Sequence, residues 1–173
     1  MRRQSDGFSL VELLVAIAIL GILSSLALVQ AGGDRRRLAL EAATRRVVVG
    51  LERARLAAQR DGRPCALSLT AEGWSAPAGG SLAPCRGAGL ALAEPLSRTP
   101  IQLRTNLPDA LRFSVNGLVL DGGLVVLSSP GAQQRRCVVI SLPLGVTREG
   151  LYPQDPAAGL SSGLCQPLPG APA

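Results

Sequence analysis

The sequence predicts an α+β fold in which one long N-terminal α-helix packs on an antiparallel β-sheet. Three observations lead to this prediction. Residues 8–31 are apolar with a single charge, residues 35–60 carry an apolar stripe of helical period, and the chain after Pro64 contains runs that alternate apolar and polar residues. The first half of the helix is therefore expected to span a membrane and the second half to be amphipathic.

The apolar segment of residues 8–31 is long enough to cross a bilayer. Its 24 residues would extend over roughly 36 Å as a helix. Glu12 is its only charged residue, and a carboxylate near the centre of a bilayer costs about 2.5–3.5 kcal/mol, so a function is expected for it. Two simpler interpretations, a secretory signal peptide that begins with Arg2 and Arg3 and a plain membrane anchor, leave Glu12 unexplained.

Residues 32–62 are expected to form the amphipathic part of the helix. Apolar residues recur there at spacings of three and four, at Leu40, Ala43, Val47, Gly50 or Leu51, Ala54 and Ala58. The run Asp61-Gly62-Arg63-Pro64 then predicts the end of the helix, because glycine closes a helix readily and proline cannot continue it. This part of the helix is expected to lie on a globular domain.

Residues 63–152 are expected to form that β-rich globular domain. Strands are predicted at 65–70, 73–74, 101–104, 111–115, 118–120, 124–128 and 137–142, with an irregular loop at 76–89. Asn116-Gly117 and Asp121-Gly122-Gly123 are typical of hairpin turns. Residues 153–173 hold Pro, Gly, Ala and Ser with little charge, which predicts a tail without a core of its own.

The composition excludes several classes of enzyme. The chain has 173 residues, and its 18 basic residues, all of them arginine, exceed its 12 acidic residues by a net charge of +6. Without His or Lys it cannot form a Ser–His–Asp triad, a P-loop with its lysine or a Schiff base. Most catalytic zinc and iron sites also use His. We therefore expect a protein that is not an enzyme and that uses no cofactor and no metal.

Four cysteines, Cys65, Cys85, Cys137 and Cys165, all follow the apolar segment. If that segment is an anchor entered from the cytoplasm, they lie outside the cytoplasm, where disulfides persist. Their spacing contains no C-x-x-C pair, which disfavours a structural zinc site. Of the three possible connectivities we prefer Cys65–Cys85 with Cys137–Cys165, which would close the loop at 76–89 and fix the tail to the strand at 137–142. Four free buried thiols are the alternative.

The first residues resemble a processing site. The run Gly7-Phe8-Ser9-Leu10-Val11-Glu12-Leu13-Leu14, after a short basic leader at residues 1–7, is similar to the cleavage site of type IV prepilins and type II secretion pseudopilins. The resemblance implies a pilin-like fold, and it implies that a prepilin peptidase cuts after Gly7 and methylates the amino group of Phe8. It also implies that Glu12, the fifth residue after the cut, neutralises the N-terminal amine of a neighbouring subunit in a filament.

The same resemblance implies a location and a set of partners. The protein would be a single-pass protein of the inner (cytoplasmic) membrane, with its globular domain in the periplasm or the extracellular space. Its partners would be other pilins or pseudopilins, the prepilin peptidase and the inner membrane. Two opposite charges can be buried together in a low dielectric where either one alone is costly. Glu12 is therefore expected to set the axial register of the subunit.

The end of the helix and the order of the strands resemble the GspH/FimT-type minor pilins. This resemblance covers about residues 7–150. The residues that carry it are the run at 51–60 with Asp61-Gly62 after it, Trp74, Leu111-Arg112-Phe113 and Ser128-Ser129-Pro130-Gly131. It implies a structural subunit, a minor pilin or pseudopilin, of a type IV pilus or a type II secretion pseudopilus.

Some members of this group are implicated in binding DNA during its uptake, through a Gly-Arg-x-Arg motif near the last strand. This sequence has Gly145-Val146-Thr147-Arg148 at that place, and aromatic residues for base stacking are nearly absent. Arg135, Arg136 and Arg148 are the candidate contacts if the chain is a DNA-binding minor pilin of a competence pilus. The sequence leaves open which of these machines is served. A secreted or anchored protein with an ordinary signal sequence is a further alternative.

Overall fold

The computed structural model describes residues 9–94 and 99–168, except for the side chains of residues 25–31. Gly7 and Phe8, the predicted cleavage residues, lie outside the described residues. The chain divides into two compact units, Met1–Arg35 (the N-terminal unit) and Arg36–Ala173 (the C-terminal unit). One helix of 52 residues, α1 (Leu10–Asp61), contributes to both. A single N-terminal helix of this length agrees with the prediction.

No helix in the described part of the chain is both long enough and apolar enough to cross a membrane. The membrane-spanning half of α1 stays a prediction from the sequence.

The helix ends where the sequence predicts. Gly62 has φ +61°, a left-handed conformation that glycine adopts without a steric penalty. Its N–H donates to the carbonyl of Gln59 (3.3 Å), and the N–H of Arg63 donates to the carbonyl of Ala58 (3.3 Å). These two bonds form a Schellman motif, which satisfies carbonyls that the helix end leaves without partners.

The predicted apolar stripe of α1 lies in the core of the C-terminal unit. Its members Leu40, Ala43, Val47, Leu51, Ala54 and Ala58 are each at most 2% exposed. They form one cluster with buried residues from both of the sheets described next. Each sheet therefore buries one face against the helix, which is the arrangement that an amphipathic helix on an α+β domain requires.

The strands form two antiparallel sheets where the sequence predicted one. The four-stranded sheet has the order β3 (Leu90–Ala91), β2 (Gly73–Ser75), β1 (Cys65–Leu69), β5 (Leu111–Phe113). The five-stranded sheet has the order β4 (Gln102–Thr105), β6 (Gly123–Ser128), β7 (Arg136–Ser141), β8 (Val146–Leu151), β9 (Gln166–Pro167). All described strand pairs are antiparallel, so the prediction of antiparallel pairing is confirmed.

The five-stranded sheet is covered on both faces. Val125, Leu127 and Val138 belong to the core cluster that contains α1. Leu124, Val126 and Cys137 alternate with them along the strands and point to the opposite, outer face. There they form a second buried cluster with Tyr152 and Cys165, against which Leu160 and Leu164 pack. Residues 153–168 cover this face, so the tail that was predicted to lack a core of its own packs on the sheet.

Several predicted strands and turns differ from the structure. Residues 118–120 form no strand, and Val119 makes only an isolated bridge with Phe113. Asp121-Gly122-Gly123 is not a hairpin turn, because β5 before it and β6 after it lie in different sheets. The Asp121 carboxylate instead accepts hydrogen bonds from Nε (2.9 Å) and Nη2 (2.8 Å) of Arg112. The strands β3, β8 and β9 were not predicted, since β3 and β9 have two residues each and β8 carries charged residues in mid-strand.

Candidate functional site

The first turn of α1 is capped by Ser9. Its Oγ accepts a hydrogen bond from the backbone N–H of Glu12 (3.2 Å), and its carbonyl accepts one from the N–H of Leu13 (3.1 Å). Ser9 and Glu12 thus stand in the S-x-x-E spacing of a capping box. The bond uses the backbone of Glu12, and its side chain is exposed. The carboxylate that the resemblance assigns to subunit docking is therefore on the surface of this single chain.

The N-terminal unit exposes apolar side chains on all sides of the helix. Ten large ones are each at least 52% exposed: Leu10, Val11, Leu13, Leu14, Val15, Ile17, Ile19, Leu20, Ile22 and Leu23. They are nearly consecutive, so apart from the Glu12 carboxylate every face of the helix between residues 10 and 23 is apolar. A helix that is apolar all round is stable only when other helices or lipid cover it. The described residues leave this surface exposed, so it needs a partner.

A largely buried ion pair joins α1 to β7. Arg136 is 8% exposed, and its Nη2 donates to the carboxylate of Glu41. The same carboxylate oxygen accepts a hydrogen bond from Nε of Arg37, one turn earlier on α1, at 3.1 Å. The Arg37 side chain is 70% exposed, so water screens that contact strongly. The buried guanidinium of Arg136 is the partner that depends most on Glu41.

These contacts lower the pKa of the Glu41 carboxyl below its ordinary value. The hydrogen bond from Arg37 is the main cause, and the positive charge of Arg136 adds to it, while partial desolvation acts in the opposite direction. A carboxyl whose pKa is lowered by folding stabilises the fold when the pH is above its unfolded pKa. That stabilisation disappears as the pH falls through the lowered pKa of the folded state.

We expect Glu41→Gln to lower the free energy of unfolding by about 1–2 kcal/mol at neutral pH, because buried Arg136 loses its charged partner. The difference between variant and wild type should stay constant near neutral pH and shrink once the pH falls below the ordinary Glu pKa of about 4.3, since acid then protonates Glu41 in the wild type. Urea unfolding of the full chain in detergent checks this.

The matched control for this prediction is Glu52→Gln, which removes an exposed α1 carboxylate paired with Arg55. Its expected effect is within about 0.5 kcal/mol. Some acid sensitivity should persist in Glu41→Gln, because Arg112 lowers the pKa of Asp121 in the same direction. An equal pH dependence in wild type and Glu41→Gln would contradict the assignment.

The structure separates the three arginines that were predicted as DNA contacts. Arg136 points to α1 and is buried in the ion pair with Glu41. Arg148 pairs in register with Val139 and lies on the outer face, where its Nη2 donates to the carbonyl of Ser162 (3.0 Å). Arg135 is half-buried just before β7. The three residues do not form one exposed basic surface, so the described residues give no support to nucleic acid as a partner.

The four cysteines form two disulfides. Cys65 pairs with Cys85 (Cα–Cα 4.9 Å), and Cys137 pairs with Cys165 (Cα–Cα 5.9 Å), the two pairs preferred from the sequence. The first pair lies in the core cluster that contains α1, and the second lies in the cluster on the outer face. One disulfide therefore fixes the irregular loop to β1, and the other fixes residues 153–168 to β7.

The helix-capping role of Ser9 and the ion pair of Glu41 were not predicted from the sequence. The S-x-x-E spacing of Ser9 and Glu12 is a recognisable signal for a helix cap. Glu41 has no such signal, because its buried partner Arg136 is 95 residues away along the chain.

A small disulfide-bonded α+β unit includes the second part of a long helix. The first part of the helix is apolar and needs other helices or lipid around it. These two features together are those of a pilin-like subunit. The family comparisons agree. The prokaryotic N-terminal methylation motif matches residues 2–28, and the model for type II transport protein GspH matches residues 43–143. The chain belongs to the GspH family. Comparisons with curated proteins and with solved structures gave no match.

Proposed function

We propose that this chain is a minor pilin or pseudopilin, a structural subunit of a type IV pilus or a type II secretion pseudopilus. A prepilin peptidase cuts after Gly7 and methylates Phe8, and the N-terminal helix holds the subunit in the inner membrane until it enters a filament. The globular unit then lies outside the cytoplasm, where its two disulfides persist. Membership of the GspH family and the matched methylation motif support this proposal.

The observation that carries the proposal is the exposed apolar surface of the helix between residues 10 and 23. At about 25 cal/mol per Å² of apolar surface, covering such a helix is strongly favourable. Lipid covers it before assembly and the helices of neighbouring subunits cover it afterwards. A filament subunit needs both states, whereas a signal peptide is removed and never needs the second.

Glu12 gives the assembled state its register. It is the only charged residue among the described residues 9–24, so the helix surface offers no internal partner for its carboxylate. In the filament the carboxylate pairs with the N-terminal amine of a neighbouring Phe8. An unpaired charge in that apolar contact would be costly, and only the correct axial step removes the cost.

The test of the proposed function is the N-terminal mass of the full chain produced together with a prepilin peptidase. We expect a chain that begins at Phe8 and carries one methyl group on its amine. A chain that begins near Gly32 would instead show signal-peptide cleavage, and an intact Met1 would show no processing. Either result would remove the role proposed for Glu12.

Glu12→Ala and Glu12→Gln are expected to reduce incorporation into filaments by about a hundredfold, since a buried amine without its partner costs about 3 kcal/mol. Quantitative immunoblotting of sheared filaments measures this. Ser9→Ala is the matched control. It removes the cap bond to the Glu12 N–H, at about 1 kcal/mol of local helix stability, and keeps the charge. If Ser9→Ala lowers incorporation as much as Glu12→Ala does, helix capping and not charge is the function of this turn.

A further inference from the structure

A cavity of about 680 Å³ lies at one end of the five-stranded sheet in the C-terminal unit. Arg104 of β4 and Arg135, just before β7, both line it. In the strand register Arg104 stands opposite Val126, so its side chain is on the outer face. Two cations from different elements thus share one cavity, which we call the basic cavity.

Neither cation of the basic cavity is neutralised by the part of the chain that the structure describes. The ion pairs of that part involve other arginines, and none includes Arg104 or Arg135. Asp155 lines the cavity too, but its Oδ1 accepts the N–H of Ala157 (3.0 Å) and so caps a short 3₁₀ helix. The basic cavity therefore carries an excess of positive charge.

Ser129 is a further polar residue of the basic cavity. It lines the basic cavity, is 5% exposed, and its hydroxyl has no hydrogen-bond partner among the described residues. Buried hydroxyls almost always have a partner, and a bound group within reach is one reason for an exception. The two guanidinium groups of the cavity suit an oxyanion, because both can donate charge-assisted hydrogen bonds to it.

A third arginine lies beside the basic cavity. Nη1 of Arg36 on α1 donates to the carbonyl of Gly131 (2.9 Å), and Gly131 lines the cavity. Arg36 follows the predicted membrane segment, which ends at residue 31, by five residues. A chain of that length reaches at most about 18 Å. If the segment is in the bilayer, Arg36 and the cavity next to it are within reach of the lipid headgroups.

We propose that the basic cavity binds the phosphate group of an anionic phospholipid while the subunit is stored in the membrane. This inference rests on the proposed function, because it requires the helix to be anchored. One guanidinium group can bind two phosphate oxygens at once, and Arg104 and Arg135 each supply such a group to the cavity. Nucleic acid fits less well, because the cavity is lined by no aromatic side chain on which a base could stack. The bound phosphate would hold the C-terminal unit at the membrane surface until assembly.

The experiment is native mass spectrometry of the full chain in detergent with phosphatidylglycerol or phosphatidylcholine of the same acyl chains. We expect preferential retention of phosphatidylglycerol. Arg104→Gln with Arg135→Gln should weaken its binding by about 25-fold, or fivefold for each arginine, which corresponds to about 1 kcal/mol each. Asp155→Asn should strengthen binding by about fivefold, because the amide keeps the 3₁₀ cap and loses the negative charge.

Arg53→Gln with Arg86→Gln is the matched control, since both side chains are exposed and the net charge changes equally. Its affinity for phosphatidylglycerol should stay within about twofold of wild type, as general charge attraction predicts for remote residues. If the two double variants lose affinity equally, or if Asp155→Asn has no effect, the basic cavity is not the lipid site and the inference is wrong.

Two further arms identify other sources of the anion. Inorganic phosphate that binds as tightly as the lipid, and only through Arg104 and Arg135, would overturn the lipid assignment in favour of a free ion. Duplex DNA bound through the same residues, without a lipid preference, would overturn it in favour of nucleic acid. The N-terminal mass of each sample is measured as well. Methylated Phe8 without lipid binding contradicts this inference alone, whereas an unprocessed chain that still binds the lipid contradicts the proposed function alone.

Discussion

Replacing Gly50 with alanine is expected to lower the free energy of unfolding by about 3 kcal/mol. Gly50 is a buried residue of α1, and a Cβ atom there would come closer than 3.0 Å to three atoms of the Trp74 indole. The indole cannot retreat easily, because Trp74 is 3% exposed and its Nε1 donates to the carbonyl of Val47 (3.0 Å). The new methyl group must therefore push β2 away from the helix. Urea unfolding of the full chain in detergent measures the loss.

The control for Gly50→Ala is another glycine of the same helix. A Cβ at Gly33 meets nothing within 4 Å, so Gly33→Ala should be neutral or stabilising by up to about 1 kcal/mol, as helix propensity predicts. A double-mutant cycle gives a second check. In a Trp74→Leu background the clash is removed, and Gly50→Ala should lose most of its effect. Equal effects of Gly50→Ala in both backgrounds would show that the indole is not the cause.

Removing the second disulfide by Cys137→Ala with Cys165→Ala is expected to lower the free energy of unfolding by about 3 kcal/mol in the chain-entropy model. The bond closes a sequence separation of 28 residues and lies in the outer-face cluster with Leu124, Val126 and Tyr152. Its loss should release residues 153–168 before the rest of the unit unfolds. Limited proteolysis with a protease of broad specificity should cut this segment first.

The comparison for that prediction is Cys65→Ala with Cys85→Ala. This pair lies in the core cluster with α1, and its separation is 20 residues. We expect a similar loss of stability but no selective cleavage after residue 152, because the outer face keeps its cover. Peptide mapping of the unreduced protein checks the connectivity itself, and a fragment that joins Cys65 to Cys137 would contradict it. Cleavage at the same sites in both variants would show that the second disulfide has no local role.

The features that could be predicted from the sequence are those with a local or periodic signal. The stripe from Leu40 to Ala58 repeats every three to four residues, so its burial follows from helix geometry. Gly62 and Pro64 mark the end of α1 within three residues of one another. The run around Gly7 and Glu12 resembles a prepilin processing site, and it is readable because all of its residues lie within one short segment. The matched N-terminal methylation motif agrees with this resemblance.

Features that join distant parts of the chain were decided by the tertiary structure. The helical period did not decide whether Gly50 or Leu51 is the buried member of the stripe. The structure buries both. Gly50 is buried because the flat indole of Trp74 packs where a side chain would otherwise stand. The division into two sheets depends on which strands pair in space, and the patterns of the single strands do not specify that pairing.

The long-range partners show the physical reason. Glu41 and Arg136 stand 95 residues apart, and each alone has the sequence pattern of an ordinary surface charge. Residues 153–168 lack the apolar content for a core of their own, yet they pack on the face that β6 and β7 form, and one disulfide fixes them there. The helix and the resemblance carried by the run around Glu12 could be predicted from the sequence by itself, because these depend on neighbours along the chain. The sheets, the buried ion pair and the covered outer face depend on neighbours in space, and only the folded chain brings those together.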